Sequence, residues 1–210
     1  DQVIARIDRS VASQEPTHFN ILVAHFANDP NLIETRKVIA CLKDKTGFKV
    51  RAHPKEIDLA KLDKDATQVK EHLLDLLADE KSEILIWGEM LRDESVKLRF
   101  QSSGGAASEK VYRLKDHDCD TDKFSRDIGQ SIQAHVLFAL SDIKDERNKY
   151  YVDLLRSVVE KLDHFLQMPP DLSAPAIESL KLDLADAAQI LGEQSGEKEW
   201  LIFSEHYYRQ

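Results

Sequence analysis

The stretch that decides the fold is Phe19-Asn20-Ile21-Leu22-Val23-Ala24-His25-Phe26, a nearly continuous run of branched, aromatic and other apolar residues. Such a run predicts a strand that is buried within a sheet. Asn28, Asp29 and Pro30 follow and supply capping and first-turn chemistry for a helix. A buried strand followed at once by a helix is typical of the first unit of an α/β fold.

The residues after this unit repeat the alternation of helix and strand. The first helix passes through Leu42 and ends at Gly47, and a strand follows over residues 48–57, with Pro54 indicating a sheet edge. Apolar periodicity then predicts a helix over 66–80, a strand over 84–90, and two half-exposed strands over 96–100 and 111–114 around a loop over 101–110. The order β-α-β-α-β-β-β predicts parallel crossovers followed by an antiparallel meander.

The rest of the chain carries helical periodicity. Predicted helices cover residues 124–140, 152–165, 177–191 and 197–208, with a break at 168–170 and a hinge at 192–196. We therefore expect an α+β/α chain, in which a mixed-sheet α/β domain of order β-α-β-α-β-β-β-α precedes an all-α region. The predicted divisions are an N-terminal extension over 1–18, the α/β domain over 19–145 and the helical region over 146–210.

Composition limits the classes of protein that fit the chain. Hydrophobic residues make up 42% and charged residues 32% of the 210 residues, which supplies a core and excludes a disordered chain. Seven glycines and six prolines are too few for a many-turned β-sandwich or a collagen-like repeat. The formal net charge of −9 argues against nucleic acid or an anionic membrane as a partner, although a local basic patch is compatible with it.

Three further features concern the compartment. Cys41 and Cys119 lie far apart and indicate no disulfide framework, so we expect a reducing, cytoplasmic location. No apolar run reaches the roughly 18 residues that a membrane-spanning helix needs. The chain begins at Asp1 with neither a start methionine nor a signal peptide, so we expect a trimmed terminus or a fragment.

The last two helices resemble a known repeat. Residues 184–196 resemble the first helix of a bacterial tetratricopeptide repeat, with Gly192 at its small-residue position, and residues 203–209 resemble the second helix, which ends in a tyrosine–arginine pair. The family usually places an alanine on the second helix, where this chain offers Ile202 or Ser204. The resemblance implies a close-packed hairpin that binds protein and begins an array. An ordinary helical hairpin is the alternative.

Residues 19–115 resemble, more loosely, the amino-terminal α/β domain of the TolB translocation protein, versions of which occur in cytoplasmic bacterial regulators. The resemblance is carried by the first strand over 21–26, by the entry to the second strand at 47–50, and by the apolar strand over 84–89 that ends in glycine and a polar residue. It implies a role in binding and regulation and transfers no catalytic residues.

Polar residues at the carboxyl ends of the first and third strands form the candidate ligand site. His25, Asn28 and Asp29 end or follow the first strand, and Glu89 lies at the end of the third. Ligands of α/β folds bind at this edge, before a helix N-terminus. Helix capping and a hydrogen-bonded core histidine are the structural alternatives. Because no GxSxG, HExxH or paired CxxC motif occurs, we assign no catalytic residue.

The acidic run Asp116-His117-Asp118-Cys119-Asp120-Thr121-Asp122 is a second group of potential ligands. A calcium loop of the EF-hand type needs glycine and then glutamate where this chain has Thr121 and Asp127. Zinc needs further ligands at the usual spacing, and none is nearby. Capping of the next helix explains the run, so we predict no metal and no cofactor.

These observations favour one function and leave others open. Because no catalytic motif is visible, we expect a non-catalytic regulatory or scaffold protein whose helical region binds a protein partner, with the α/β domain as a sensor or docking module. The alternative is a small-ligand or nucleotide sensor, or an enzyme, that uses the cleft at the ends of the first and third strands. A third hypothesis is nucleic-acid binding through the meander cations Lys97, Arg99 and Arg113.

Overall fold

The computed structural model describes residues 18–43, 47–57, 66–114, 126–141, 143, 148–167 and 173–209. Its strands are β1 (Phe19–His25), β2 (Phe48–Glu56), β3 (Ile84–Met90), β4 (Ser95–Ser102) and β5 (Ala107–Arg113). Its helices are α1 (Ile33–Lys43), α2 (Ala66–Asp79), α3 (Arg126–Leu140), α4 (Asn148–Gln167), α5 (Ala174–Ser195) and α6 (Lys198–Tyr208). The acidic run over 116–122, and the predicted N-terminal extension except for His18, lie outside the described residues.

The five strands form one mixed sheet in the order β2-β1-β3-β4-β5. β1 pairs in parallel with β2 and β3, whereas β3, β4 and β5 form an antiparallel meander. The predicted order of elements and the mixed α+β fold are therefore confirmed. Pro54 lies in β2, which is an edge strand, as expected for a residue that cannot donate to a ladder.

Alternating side chains give the sheet two apolar faces. On one face, Ile21 and Ile86 pack with α1, α3, α4 and α5 in the larger hydrophobic core. On the opposite face, Leu22, Leu85 and Trp87 pack against α2 in a smaller core. We call this second side the α2 face of the sheet. The larger core continues past residue 145 into α4 and α5, and the domain division there stays a prediction.

The C-terminal helices form a layer on the face opposite α2. α3 contacts β4 and β5, α4 and α5 both contact α3, and α6 packs on α5. Leu155 of α4 and Leu184 of α5 are fully buried in this layer. None of the helices in the described ranges has both the length and the apolar character that a bilayer crossing requires.

The turn between β4 and β5 is shorter than the loop predicted over 101–110. β4 continues to Ser102 and β5 begins at Ala107. Gln101 is 2% exposed, and its Nε2 donates to the carbonyl oxygens of Ser102 and Ala106 at 3.0 and 3.1 Å. The Gln101 amide thus provides hydrogen bonds to two carbonyl oxygens of the turn. Polar residues that indicate a loop in the sequence therefore lie within the β4–β5 hairpin.

α5 extends to Ser195, so the hinge predicted over 192–196 is wrong over 192–195. The helix stops at Gly196, where φ is 76° and the N–H donates to the Gly192 carbonyl at 3.0 Å. A Cβ on Gly192 would lie 2.7 Å from two side-chain carbons of Leu201 in α6. Gly192 therefore permits the close approach of two helices, and only Gly196 makes the turn.

Candidate functional site

The segment that follows β1 runs alongside the end of β3. Ala27 forms an isolated parallel bridge with Glu89. The Ala27 N–H donates to the Gly88 carbonyl, and the Ala27 carbonyl accepts from the Met90 N–H, each at 2.9 Å. The backbone therefore occupies the gap between the two strand ends, and the predicted site residues lie around this bridge.

Asp29 caps α1 with both carboxylate oxygens. Oδ1 accepts from the Glu34 N–H at 3.1 Å, and Oδ2 accepts from the N–H and the hydroxyl of Thr35 at 2.7 Å each. Thr35 Oγ1 accepts from the Phe26 N–H at 3.1 Å, which ties the cap to the end of β1. These bonds satisfy N–H groups that have no partner within the helix. The structure thus assigns Asp29 a capping role, and ligand binding by this residue stays a prediction.

Two other predicted site residues, His25 and Asn28, lie at the carboxyl end of β1 and have different surroundings. Asn28 is exposed and has a φ of 57°, a left-handed conformation that asparagine adopts more readily than most residues. His25 is half-buried and lies opposite Glu56 after a register shift in the β1–β2 pairing. The structure places the predicted residues at one edge of the sheet, but Asn28 faces solvent while Asp29 is turned inward. Their joint role in binding stays a prediction.

Glu89 belongs to a row of charges on the α2 face. Its Oε1 accepts from Arg99 Nη2 at 2.8 Å, while Glu109 Oε2 lies 2.9 Å from Lys97 Nζ and 3.6 Å from Arg99 Nε. The hydrogen bond from Lys97, and then the positive charges of Lys97 and Arg99, hold the pKa of Glu109 below its usual value. We call these four residues the charge row. Of the three meander cations that the sequence offered to an anionic partner, Lys97 and Arg99 are here paired with carboxylates.

A cavity of about 520 Å³, here called the α2 cavity, lies beside the charge row between α2 and strands β3 to β5. This volume falls within the range of about 300–1,000 Å³ that is typical of small-molecule sites. Trp87 forms part of the wall and is 5% exposed, and none of the described residues hydrogen-bonds its Nε1. The other lining side chains on this face combine apolar and charged groups: Val69, Lys70, Leu73, Arg99, Gln101, Ala107 and Glu109.

A second set of polar groups is buried between β5, α3 and α5. Asp183 Oδ1 accepts from Lys110 Nζ at 2.6 Å and from His135 Nε2 at 3.3 Å, and Oδ2 accepts from the Ser131 hydroxyl. The Tyr112 hydroxyl lies 3.0 Å from Ser131 Oγ. We call these five residues the Asp183 cluster. Tyr112 and Ser131 also line a neighbouring cavity of about 480 Å³.

The hydrogen-bond pattern assigns the protons of the Asp183 cluster. Ser131 gives its only hydroxyl proton to Asp183, so Tyr112 donates to Ser131. His135 Nε2 must carry a proton to bond the carboxylate, and the buried Nδ1 has no partner among the described residues. Burial, and then the charge of Asp183, raise the pKa of Tyr112 well above its usual value. Asp183 itself is an ionised carboxylate that receives donors from three side chains.

The pKa of Asp183 supports this charge state. Burial opposes ionisation, but the hydrogen bond from His135 and the charge of Lys110 outweigh it and hold the pKa below its usual value. A carboxylate this deep in the protein costs several kcal/mol to desolvate unless charge pairing and hydrogen bonds offset the loss of water. Here Lys110 supplies the charge, and Ser131 and His135 supply further donors.

The Asp183 cluster contains serine, histidine and aspartate, but in the wrong order for nucleophilic catalysis. A serine nucleophile needs a histidine base within hydrogen-bond reach, whereas Ser131 is 1% exposed and donates to Asp183. The His135 ring stacks on Phe100 with centroids 5.5 Å apart and meets the edge of Phe138 at 5.1 Å. The cluster therefore joins α3 and α5 to the sheet. Within the described ranges, no group of three or more His, Cys, Asp or Glu side chains is placed to hold a metal ion.

The sequence signal for the Asp183 cluster is weak. Ser131 and His135 stand four residues apart on α3, so they share a helix face, and Asp183 interrupts the apolar pattern of α5. Polar residues on otherwise apolar helix faces indicate a buried network. However, Lys110 and Asp183 are 73 residues apart, and nothing local in the sequence pairs them.

No protein-family model, curated protein or solved structure matches the chain. The likenesses to a tetratricopeptide repeat and to the TolB amino-terminal domain therefore stay predictions. The mixed five-stranded sheet and the helical layer are what the structure itself establishes.

Proposed function

We propose that the chain is a non-catalytic regulatory or scaffold protein that binds a protein partner through the α5–α6 hairpin. One observation carries this proposal. Of the six large hydrophobic side chains that are exposed within the described residues, four lie on this hairpin, namely Leu182, Leu201, Ile202 and Tyr208. Ile202 and Leu182 are the most exposed of the six, at 68% and 54%. Exposed apolar side chains that gather on one part of a surface are typical of interaction sites.

The hairpin is held in place before any partner binds. Ser204 is 3% exposed, and its hydroxyl donates to the Ala185 carbonyl at 2.8 Å. The Tyr208 hydroxyl donates to Asp186, and it lies 3.3 Å from Gln189 Oε1. An aromatic side chain that is already ordered loses little conformational entropy on binding, which favours a role as an interface anchor.

The start of α6 is fixed to α4 by charged groups. Arg156 donates to both carboxylate oxygens of Glu197 at 3.0 and 2.8 Å, and Trp200 Nε1 donates to the same carboxylate at 2.8 Å. The Arg156 guanidinium also lies 5.8 Å from the centre of the Trp200 ring. The hairpin is therefore a rigid element rather than a swinging arm, and its apolar side chains have a fixed arrangement.

The proposal includes a tetratricopeptide-like packing of the hairpin. Gly192 on α5 lies against Leu201, Ser204 on α6 is buried and Ile202 is exposed. We propose on this basis that Ser204, rather than Ile202, corresponds to the small residue that the family has on its second helix. The occupant that fits such a surface is an amphipathic helix of a protein partner, with its apolar side over Leu201 and Ile202. The same proposal assigns the α/β half a sensor or docking role and places the protein in the cytoplasm.

The alternative is a small-ligand sensor or an enzyme at the carboxyl ends of β1 and β3. At this edge Asp29 uses both oxygens for capping, and Glu89 is bonded to Arg99. Both carboxylates already accept hydrogen bonds within the protein, and these bonds assign them to helix capping and to the charge row. For this reason the hairpin is the better supported site.

A site-specific photo-crosslinker tests the hairpin in the cells that make the protein. We expect p-benzoylphenylalanine at position 202 to give a protein adduct, and the same residue at position 33 to give none. Ile33 is a matched control because it is also exposed, at 44%, but lies at the start of α1. Mass spectrometry of the adduct identifies the partner.

Titration of each variant with the purified partner then measures how the hairpin side chains affect the Kd. We expect Ile202→Glu and Leu182→Glu each to weaken its Kd at least about tenfold, because a charge is placed in an apolar contact. Ile33→Glu should leave the Kd unchanged. Equal adducts at positions 202 and 33, an adduct only with a second copy of the chain, or equal Kd values for all three variants would refute the proposed partner site.

A further inference from the structure

The α2 face of the sheet is only partly covered. α2 packs over β1 and β3, where Leu22, Leu85 and Trp87 meet Leu73 and Leu77. On β4 and β5, the residues that share the α2 face, such as Arg99 and Val111, belong to neither hydrophobic core. Val111 is 45% exposed. The α2 cavity lies where the covered part of the face gives way to the open part.

The walls of the α2 cavity are apolar on one side and cationic on the other. Val69, Leu73 and Trp87 supply flat or branched apolar surface. Lys70 reaches from α2 to the β4–β5 turn, where its Nζ lies 3.2 Å from the position that a Cβ would take on Gly105. Within the described residues Lys70 has no ion-pair partner. One end of the cavity thus holds an unneutralised ammonium.

Arg99 adds a second cationic group with spare donors. Its Nη2 is bonded to Glu89 and its Nε faces Glu109, so Nη1 has no ion-pair partner among the residues that the structure describes. The charges that line the cavity are Lys70, Arg99 and Glu109, which sum to one positive charge. A single negative charge on a ligand would neutralise the site.

The wall also carries an unsatisfied donor. Trp87 Nε1 is buried and has no partner within the described part of the chain, although a buried tryptophan N–H normally has one. Trp87 lies directly opposite Arg99 in the β3–β4 pairing, so the indole and the guanidinium are neighbours on one face. The α2 cavity therefore places an aromatic ring beside a guanidinium, which suits a ligand that carries both an apolar ring and a negative charge.

We propose that the α2 cavity binds a small aromatic carboxylate, a site that is separate from the α5–α6 hairpin. The ring of the ligand packs on Trp87, Leu73 and Val69, and its carboxylate lies between Lys70 and Arg99. A planar guanidinium matches a carboxylate in shape and charge. The cavity volume of about 520 Å³ accommodates a ligand with one or two fused rings.

The two tryptophans allow a direct test with 1-naphthoate as the probe. The ¹⁵N–¹H spectrum of labelled protein contains two indole signals, from Trp87 and Trp200, and Trp200→Phe assigns them. Trp200 is an internal control because its Nε1 already donates to Glu197 at 2.8 Å, away from the cavity. We expect the Trp87 signal to move in a saturable way during titration and the Trp200 signal to stay fixed.

Matched ligands and variants separate the charge from simple apolar contact. We expect 1-naphthamide, the neutral analogue, and Lys70→Met each to weaken the Kd about tenfold, because either change removes a charge-assisted bond. Lys49→Met is the control, since Lys49 is exposed on β2 at the far edge of the sheet. No shift of the Trp87 signal, equal shifts of both signals, equal binding of the amide, or an equal effect of Lys49→Met would overturn the proposal.

Discussion

Replacement of Asp183 by asparagine tests whether the Asp183 cluster fastens α5 to the sheet. The Asp183 side chain is 3% exposed and accepts hydrogen bonds from Lys110, Ser131 and His135. Asparagine keeps the size of the side chain but removes its charge and replaces one acceptor oxygen by a donor nitrogen. Lys110, whose side chain is 18% exposed, then has no counter-charge.

The expected loss of stability follows from this geometry. Breaking a buried ion pair by removing one partner costs about 3–5 kcal/mol, because the remaining charge stays buried without compensation. The partial exposure of Lys110 lets its ammonium turn towards water, so we expect the lower end, about 3 kcal/mol. With a urea dependence of about 2 kcal/mol per molar, the unfolding midpoint falls by about 1.5 M.

The pH dependence has a defined sign. The pKa of Asp183 is lower in the folded protein than in the unfolded chain, chiefly through His135 and Lys110, which overcome the effect of burial. Such a carboxyl stabilises the fold at pH values above its unfolded pKa, and this contribution is lost as the pH falls through the folded pKa. The difference between the wild type and Asp183→Asn is therefore largest near neutral pH and shrinks below about pH 4.

Urea unfolding at pH 7 and at pH 3 to 4, followed by tryptophan fluorescence and circular dichroism, measures both effects. Asp153→Asn is the control, because Asp153 is exposed on α4 and should change stability by no more than about 0.5 kcal/mol. The double variant Lys110→Met with Asp183→Leu should regain most of the loss, since it leaves no unpaired charge. The reasoning is refuted if Asp183→Asn matches the wild type at pH 7, or if the difference persists unchanged in acid.

Three other substitutions test close contacts and the cap. Gly88→Ala places a Cβ 2.3 Å from the Lys97 carbonyl oxygen on the neighbouring strand, so we expect a loss of at least about 2 kcal/mol in urea unfolding. Gly192→Ala meets Leu201 at 2.7 Å, and overpacking of about 1–3 kcal/mol should exceed the gain of about 1 kcal/mol in helix propensity; a higher Tm would contradict this. Asp29→Ala removes the cap of α1 and should lower stability by about 1–2 kcal/mol in thermal unfolding, whereas no change in Tm would show that the cap contributes nothing.

The fold was predictable from the sequence where a run of apolar residues was unbroken. The strand over 84–90 was predicted with the bounds that the structure shows, because all of its early residues are apolar and buried. The β4–β5 hairpin was predicted less well. Gln101 looks like a loop residue in the sequence, but its buried amide hydrogen-bonds the backbone of the turn. Gly192 was assigned both to a hinge and, through the repeat resemblance, to a close-packed position, because sequence alone does not distinguish a glycine that bends a chain from one that admits a neighbouring helix.

The candidate sites depended on contacts that sequence order does not contain. Asp29 was placed correctly before a helix, since capping is a local interaction over a few residues. The α2 cavity and the Asp183 cluster are built from segments far apart in the chain, and their members are ordinary residues within ordinary strands and helices. Lys70 and Arg99 line the same cavity because the sheet order places β4 and β5 beside the strands that α2 covers.

The position of the Asp183 cluster bears on the proposed function of the hairpin. The buried face of α5 is otherwise formed by apolar side chains, including Leu180, Leu184, Ala187 and Leu191. A slide by one turn, about 5.4 Å, would take Asp183 away from its three donors and leave a charge among apolar groups. Such a state is disfavoured by several kcal/mol, so one register of α5 on the sheet is selected. Because α6 is fixed to α5, this register also determines where the exposed side chain of Ile202 lies relative to the sheet.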